Sequence, residues 1–142
     1  MNGITNLIRI HKWQLDEKRR AIADMEHLLA GFQEQLAKLD REQEMELRVA
    51  GQNEETRFAY ANYAKAAGVR RENLVASITD AEQRIAEAQE EVAEIYQDLK
   101  KYEISEETRL RLLQEQQKKR LQQEMDALSI DMHRRKSHSH SG

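Results

Sequence analysis

The stretch "VAGQNEETRFAYANYAKAAG", residues 49–68, contains the two glycines that compete to break the chain near its middle. Its reading decides the fold. Gly51 can end a helix with a positive φ, and Asn53 can cap the next one ahead of Glu54 and Glu55, whose charges suit a helix N-terminus. Gly68 is the rival breaker. It is preceded by Ala64, Ala66 and Ala67, strong helix formers that favour continuation through it. The turn is therefore expected at residues 50–54, with a helix of about 3–49 before it and one of about 55–134 after it.

The segments on either side support this reading. From position 4 onward apolar residues recur in alternating steps of four and three. Ile8, Leu15, Ile22, Leu29 and Leu36 fill one seam position, and Ile4, His11, Lys18, Met25, Phe32 and Leu39 fill the other. A 3.5-residue period held this long marks a coiled-coil seam rather than a globular stripe. It weakens at Gln43 and Glu46. A second run places Ile78, Ile85, Val92 and Leu99 at one position and Leu74, Ala81, Ala88, Ile95 and Tyr102 at the other. The small Ala81 and Ala88 suit close approach to bulky residues such as Leu29 or Phe32. Past Tyr102 the repeat slips, because Leu110, Leu113, Gln117, Leu121, Met125, Leu128 and Met132 need extra four-residue steps, which unwind a supercoil.

Two helices joined by so short a link run antiparallel. The expected fold is all-α: one coiled-coil hairpin over residues 1–136, its second helix longer and overhanging, followed by a disordered tail at 137–142. At 1.5 Å per residue the first helix is roughly 70 Å long.

Composition agrees. Charged residues make up 35% of the 142, proline and cysteine are absent, and aromatics are 5%, which leaves material for a thin seam but not a thick core. Without cysteine there are neither disulfides nor thiolate metal sites. No apolar run approaches the roughly 20 residues that cross a bilayer, and the N-terminus lacks a signal-peptide core, so a soluble cytoplasmic protein is expected.

The net charge of −3 conceals alternating blocks. Residues 9–20 are basic, 21–56 acidic, 57–71 basic with no acid at all, 72–107 acidic and 109–136 basic. Folded as a hairpin, the chain is expected to have basic ends and an acidic shaft. Such blocks are often only solvated faces. Here they predict a connector with different chemistry at each end, the turn end bearing Phe58, Tyr60 and Tyr63. Three aromatics within six residues of a helix cannot all face one partner, so at least one is expected to be exposed.

Trp13, the single tryptophan, is turned away from the seam and shares that outer side with Leu7 and Ile10. Two readings stand: it packs against the overhanging part of helix two, or it forms a docking surface flanked by Arg9 and Lys12. Trp and Arg are enriched among interface hot spots. A membrane-surface anchor is disfavoured by the small patch and its interspersed acids.

The segments "LIRIHKWQLDEKRRAIADME" (7–26) and "RFAYANYAKAAGVRRENLVASI" (57–78), with the glycine-led turn between them, resemble the FliJ family of flagellar export proteins in its alphaproteobacterial form. The resemblance extends to about Arg135. It implies a cytoplasmic component of the flagellar type III export apparatus, peripherally associated with the inner membrane at the flagellar base. Its expected form is an antiparallel two-helix coiled coil similar to the stalk subunit of rotary ATPases. The implied partners are the export ATPase at the terminal end, the membrane export gate at the turn end, and export chaperones. Carried onto this chain, the ATPase end comprises Leu7, Arg9, Ile10, Lys12 and Trp13 with Leu110, Leu113 and Leu121 of the later helix. The gate contact falls on Tyr60, Tyr63, Ala67 and Leu74; the chain departs from the family pattern in its small Ala67 and in Arg70, where a small residue is usual.

No catalytic or cofactor-binding motif is present: there is no phosphate-binding glycine loop and no His-Glu-x-x-His. No small-molecule substrate and no metal site are expected. His11 reads as a polar seam layer that helps register, and Glu90–Glu91 and Glu106–Glu107 as solvated faces. Nucleic acid is disfavoured by net acidity and the lack of an extended basic face. A coiled-coil scaffold or chaperone-like hairpin without an ATPase partner is the alternative.

Overall fold

A computed structural model describes residues 3–140, and side-chain surroundings through residue 138. The described residues form two helices, α1 (Gly3–Ala50, 48 residues) and α2 (Glu54–His140, 87 residues). They belong to two compact units. A hairpin unit spans His11–Gln97, and a terminal unit combines Met1–Ile10 with Asp98–Gly142.

In the hairpin unit the turn occupies residues 51–53, inside the expected interval. The Gln52 amide donates to the Val49 carbonyl at 3.3 Å, closing the end of α1. Asn53 then starts α2 with a reciprocal cap. Its Oδ1 accepts from the Thr56 amide at 2.8 Å, while the Asn53 amide donates to Thr56 Oγ1 at 3.1 Å. Two amides that helix geometry would leave unpaired are thereby satisfied. Arg48 in the last turn of α1 and Glu54 and Glu55 in the first turn of α2 each complement the local helix dipole. Gly51 departs from expectation in one respect: no described glycine has a positive φ. The cap on Asn53 redirects the chain without a left-handed residue. Gly68 is passed over and α2 runs straight through it.

Because the Asn53 side chain has a specific acceptor role, Asn53→Ala is expected to lower hairpin stability by about 1 kcal/mol, read from urea unfolding monitored by helical circular dichroism.

The seam lies where the heptads place it. In α1 every expected seam residue from Ile4 to Leu39 is buried or half-buried, and so is Gln43, whereas Glu46 is exposed. In α2 the same holds for all nine seam residues from Leu74 to Tyr102. Cross-helix ion pairs define the antiparallel register within the hairpin unit: Asp40 pairs with Arg71 at 3.0 Å, and Lys18 pairs with Glu91. As residue number falls along α1 it rises along α2. Both pairs are about half exposed, so each contributes at most about 1 kcal/mol and serves mainly to fix alignment. Lys18 thus holds a seam position by turning its charge to the rim.

The best-buried cluster is Leu39, Ala67 and Leu74, with Phe32, Leu36 and Tyr63 packed against it. Farther along, Phe32 and Met25 lie with Ala81 around one shallow groove, the bulky-against-small arrangement that the sequence calls for.

The terminal unit is different. Ile4, Ile8, Tyr102, Glu103, Glu106 and Thr108 are half-buried and Leu99 is buried, but every residue from 109 to 138 is exposed. This part of α2 buries none of its described side chains. The helix also continues past the expected end at 134 to His140. No glycine or proline interrupts it before Gly142, Asp131 pairs with Arg135 at 3.2 Å, and the cations at 134–136 suit a helix C-terminus. The segment expected to be a disordered tail is thus helical through residue 140, and residues 141–142 lie outside the described residues.

Candidate protein-docking surfaces

Trp13 is 64% exposed and stands at the edge of a groove in the hairpin unit. The groove is lined by Gln14, Glu17, Lys18 and Ala21 from α1 and by Ile95 from α2. The indole is therefore not spent on packing. The lining is part apolar (Ala21, Ile95) and part polar, with Lys18 tied across the helices to Glu91 and Glu17 tied to Arg20 at 3.1 Å. This combination suits an amphipathic protein segment: an aromatic to bury, a short apolar floor, and charges to orient it. Lys12 is also exposed. In the terminal unit Leu7, Arg9 and Ile10 are exposed, and Leu7 and Ile10 sit one helical turn apart. Leu110, Leu113 and Leu121, also in the terminal unit, are 47%, 42% and 57% exposed. Every residue expected at the ATPase end is thus accessible.

The residues expected at the export gate are less open. Ala67 and Leu74 are buried in the seam, at 4% and 8% exposure. Tyr63 is half-buried and packs on Leu39, Ala67 and Leu74. Tyr60 is half-buried too. The physical reason is periodicity: Tyr60, Ala67 and Leu74 continue backward the seven-residue line of Ala81 and Ala88, so they face α1. They form no continuous open face. The exposed aromatic that the sequence requires is Phe58, at 73%. Met45, Leu47 and Val49, near the turn on the α1 side, are also open. These had not been singled out. Their signal was the fading of the seam at Gln43 and Glu46: Met45, Leu47 and Val49 lie off both seam lines, and only Ala50 keeps an inward position beyond it.

Tyr63 carries one cost. Its hydroxyl is enclosed and has no hydrogen-bond partner. Burial, reinforced by the nearby Glu42 and Glu46 carboxylates, raises its pKa above the usual phenol value. An enclosed hydroxyl left unpaired opposes folding. Tyr63→Phe is therefore expected to raise the thermal midpoint of the hairpin while leaving helicity unchanged, as measured by circular dichroism melts.

Glu106 and Arg109 form an i,i+3 pair at 2.6 Å. The Arg109 hydrogen bond holds the Glu106 carboxyl below its ordinary pKa. The folded-state value is depressed, so this contribution is present above the ordinary carboxyl pKa and fades as pH falls through the folded one.

Among the described residues, no helix is long and apolar enough to cross a membrane, and no cluster of three or more His, Asp or Glu could hold a metal ion. No family model, curated protein or solved structure matches the chain.

Proposed function

We propose that this chain is a non-enzymatic, FliJ-like component of a flagellar type III export apparatus, a helical connector between the export ATPase and the membrane export gate. In this reading it is cytoplasmic and held at the inner membrane through its partners. It promotes assembly and activity of the ATPase ring, and it also meets export chaperones. The observation that carries the proposal is the exposed Trp13 on its part-apolar groove. On a hairpin with so little apolar material, the largest side chain stands outside the seam. The resemblance of residues 7–26 and 57–78 supplies the identity of the partners. The open Leu110, Leu113 and Leu121 supply further apolar anchors of the kind such a partner would cover.

At the turn end, this reading puts the gate contact on the exposed Phe58 beside Arg57, with the half-buried Tyr60 at its margin. An exposed aromatic next to a cation fits a protein surface of acidic or amphipathic character.

The test is co-purification with the export ATPase, followed by its turnover and ring assembly with and without this chain. The expected result is stimulation. Trp13→Ala should weaken the complex by roughly thirtyfold, the size of a hot-spot loss. Removal of residues 110–136 should abolish stimulation, whereas Phe58→Ala should leave it intact and reduce only gate binding. An ATPase that neither binds nor responds would overturn the proposal in favour of a coiled-coil scaffold without an ATPase partner.

A further inference from the structure

The exposed stretch of α2 beyond Thr108 has an internal order that differs from the hairpin's. Its apolar line runs Leu110, Leu113, Gln117, Leu121, Met125, Leu128 and Met132, in steps of three, four, four, four, three and four. Leu110, Leu121 and Met132 are each eleven apart. An 11-residue repeat gives 3.67 residues per turn, close to the natural helix, so the line runs nearly straight instead of supercoiling left-handedly as heptads do. All six apolar members are between 42% and 61% exposed. A face this regular is built to meet another helix.

The same line is nearly symmetric about Leu121. Counting outward, its members fall at four, eight and eleven residues on the N-terminal side and at four, seven and eleven on the C-terminal side. A second copy laid antiparallel across it sets Leu121 on Leu121, Gln117 on Met125, Leu113 beside Leu128 and Leu110 on Met132. The flanking charges follow the same symmetry. At about 100° and 1.5 Å per residue, Arg120 of one copy falls on the same flank as Glu124 of the other, about 3 Å apart along the axis. Farther out, the Glu106–Arg109 and Asp131–Arg135 pairs, formed within each helix at 2.6 and 3.2 Å, come side by side with alternating sign. Arg109 of one copy then lies beside Asp131 of the other. Each match occurs twice. Parallel pairing is less favourable, because it stacks Lys118, Lys119 and Arg120 of both copies at one level, whereas the antiparallel pair brings only the two Arg120 together, each with a Glu124 of the other copy beside it.

We propose that residues 109–136 of α2 form an antiparallel homodimer with a second copy of this chain, centred on Leu121. This does not depend on the export reading.

The absence of native cysteine makes the test direct. In the full chain, Leu121→Cys is expected to form a self-disulfide on mild oxidation, since residues at the dyad approach within bonding range. Leu110→Cys alone should not. A mixture of Leu110→Cys and Met132→Cys chains should cross-link to each other. In sedimentation equilibrium, Arg120→Glu is expected to weaken the wild-type dimer by roughly tenfold, and adding Glu124→Arg to the same chain should restore it. The proposal is overturned if the chain stays monomeric at all concentrations, if Leu110→Cys cross-links to itself, or if the charge swap fails to rescue.

Discussion

Leu39→Ala should destabilise the hairpin by about 2–4 kcal/mol, the largest loss expected from any single truncation in the chain. Leu39 is the least exposed of the core residues, at 3%, and it anchors the cluster with Ala67 and Leu74. Its two partners across the seam cannot fill the space it leaves. Ala67 is already minimal, and Leu74 is held by its own place in the adjoining layer. Phe32, Leu36 and Tyr63 pack on the cluster and would lose part of their cover. A two-helix seam also has no second shell to relax inward, so the cavity opens to water instead of closing. Urea unfolding of the wild type and variant, followed by helical circular dichroism, measures the difference. A loss under about 1 kcal/mol would mean that this layer contributes no more than an average surface site.

The second large effect runs in the opposite direction of volume. Ala81 and Ala88 are buried at 6% and 8%, and α1 presents the bulky Met25 and Phe32 beside Ala81. Replacing both with leucine inserts extra side-chain volume into a buried part of the seam. Overpacking costs roughly 1–3 kcal/mol per site, and the two sites are two helical turns apart on one line, so the costs should nearly add. The double variant Ala81→Leu/Ala88→Leu is expected to lose about 2–5 kcal/mol by the same measurement. It should also weaken the Asp40–Arg71 and Lys18–Glu91 pairs on either side, detectable as a reduced dependence of stability on salt. An unchanged or higher stability would show that the alanines leave unfilled space.

Most of this architecture was legible in the sequence because the seam is written in a period that only one geometry satisfies. Positions four and three apart from Ile4 to Leu39 are the positions the structure buries or half-buries. The turn was legible through Asn53, whose capping role is chemical and local. The details that failed were of another kind. The left-handed conformation expected of Gly51 was unnecessary once Thr56 reciprocated the cap. The burial of Ala67 and Leu74 in the turn-end set had a signal in the sequence. Ala67 and Tyr60 stand seven and fourteen residues before Leu74, on the line already recognised as the seam. The neighbour of Trp13 was not legible at all. That Ile95 shares its groove depends on the sliding register of the two helices, which is fixed by individual pairs such as Lys18–Glu91 and not by the repeat. The exposure of Trp13, by contrast, follows from its place off the heptad.

The three-residue turn between Ala50 and Glu54 has a kinetic consequence for the hairpin unit. Contacts nearest the turn close the smallest loops, and each later layer is reached by extending a structure that already exists. Zippering should therefore begin beside Asn53 and travel away from it, with a transition state rich in the Leu39–Leu74 layer and poor in the Leu15 layer. Amide protons around Leu15 would then exchange with solvent earlier than those around Leu39, even though both residues are well buried, because partial unzipping from the far side costs less than complete unfolding.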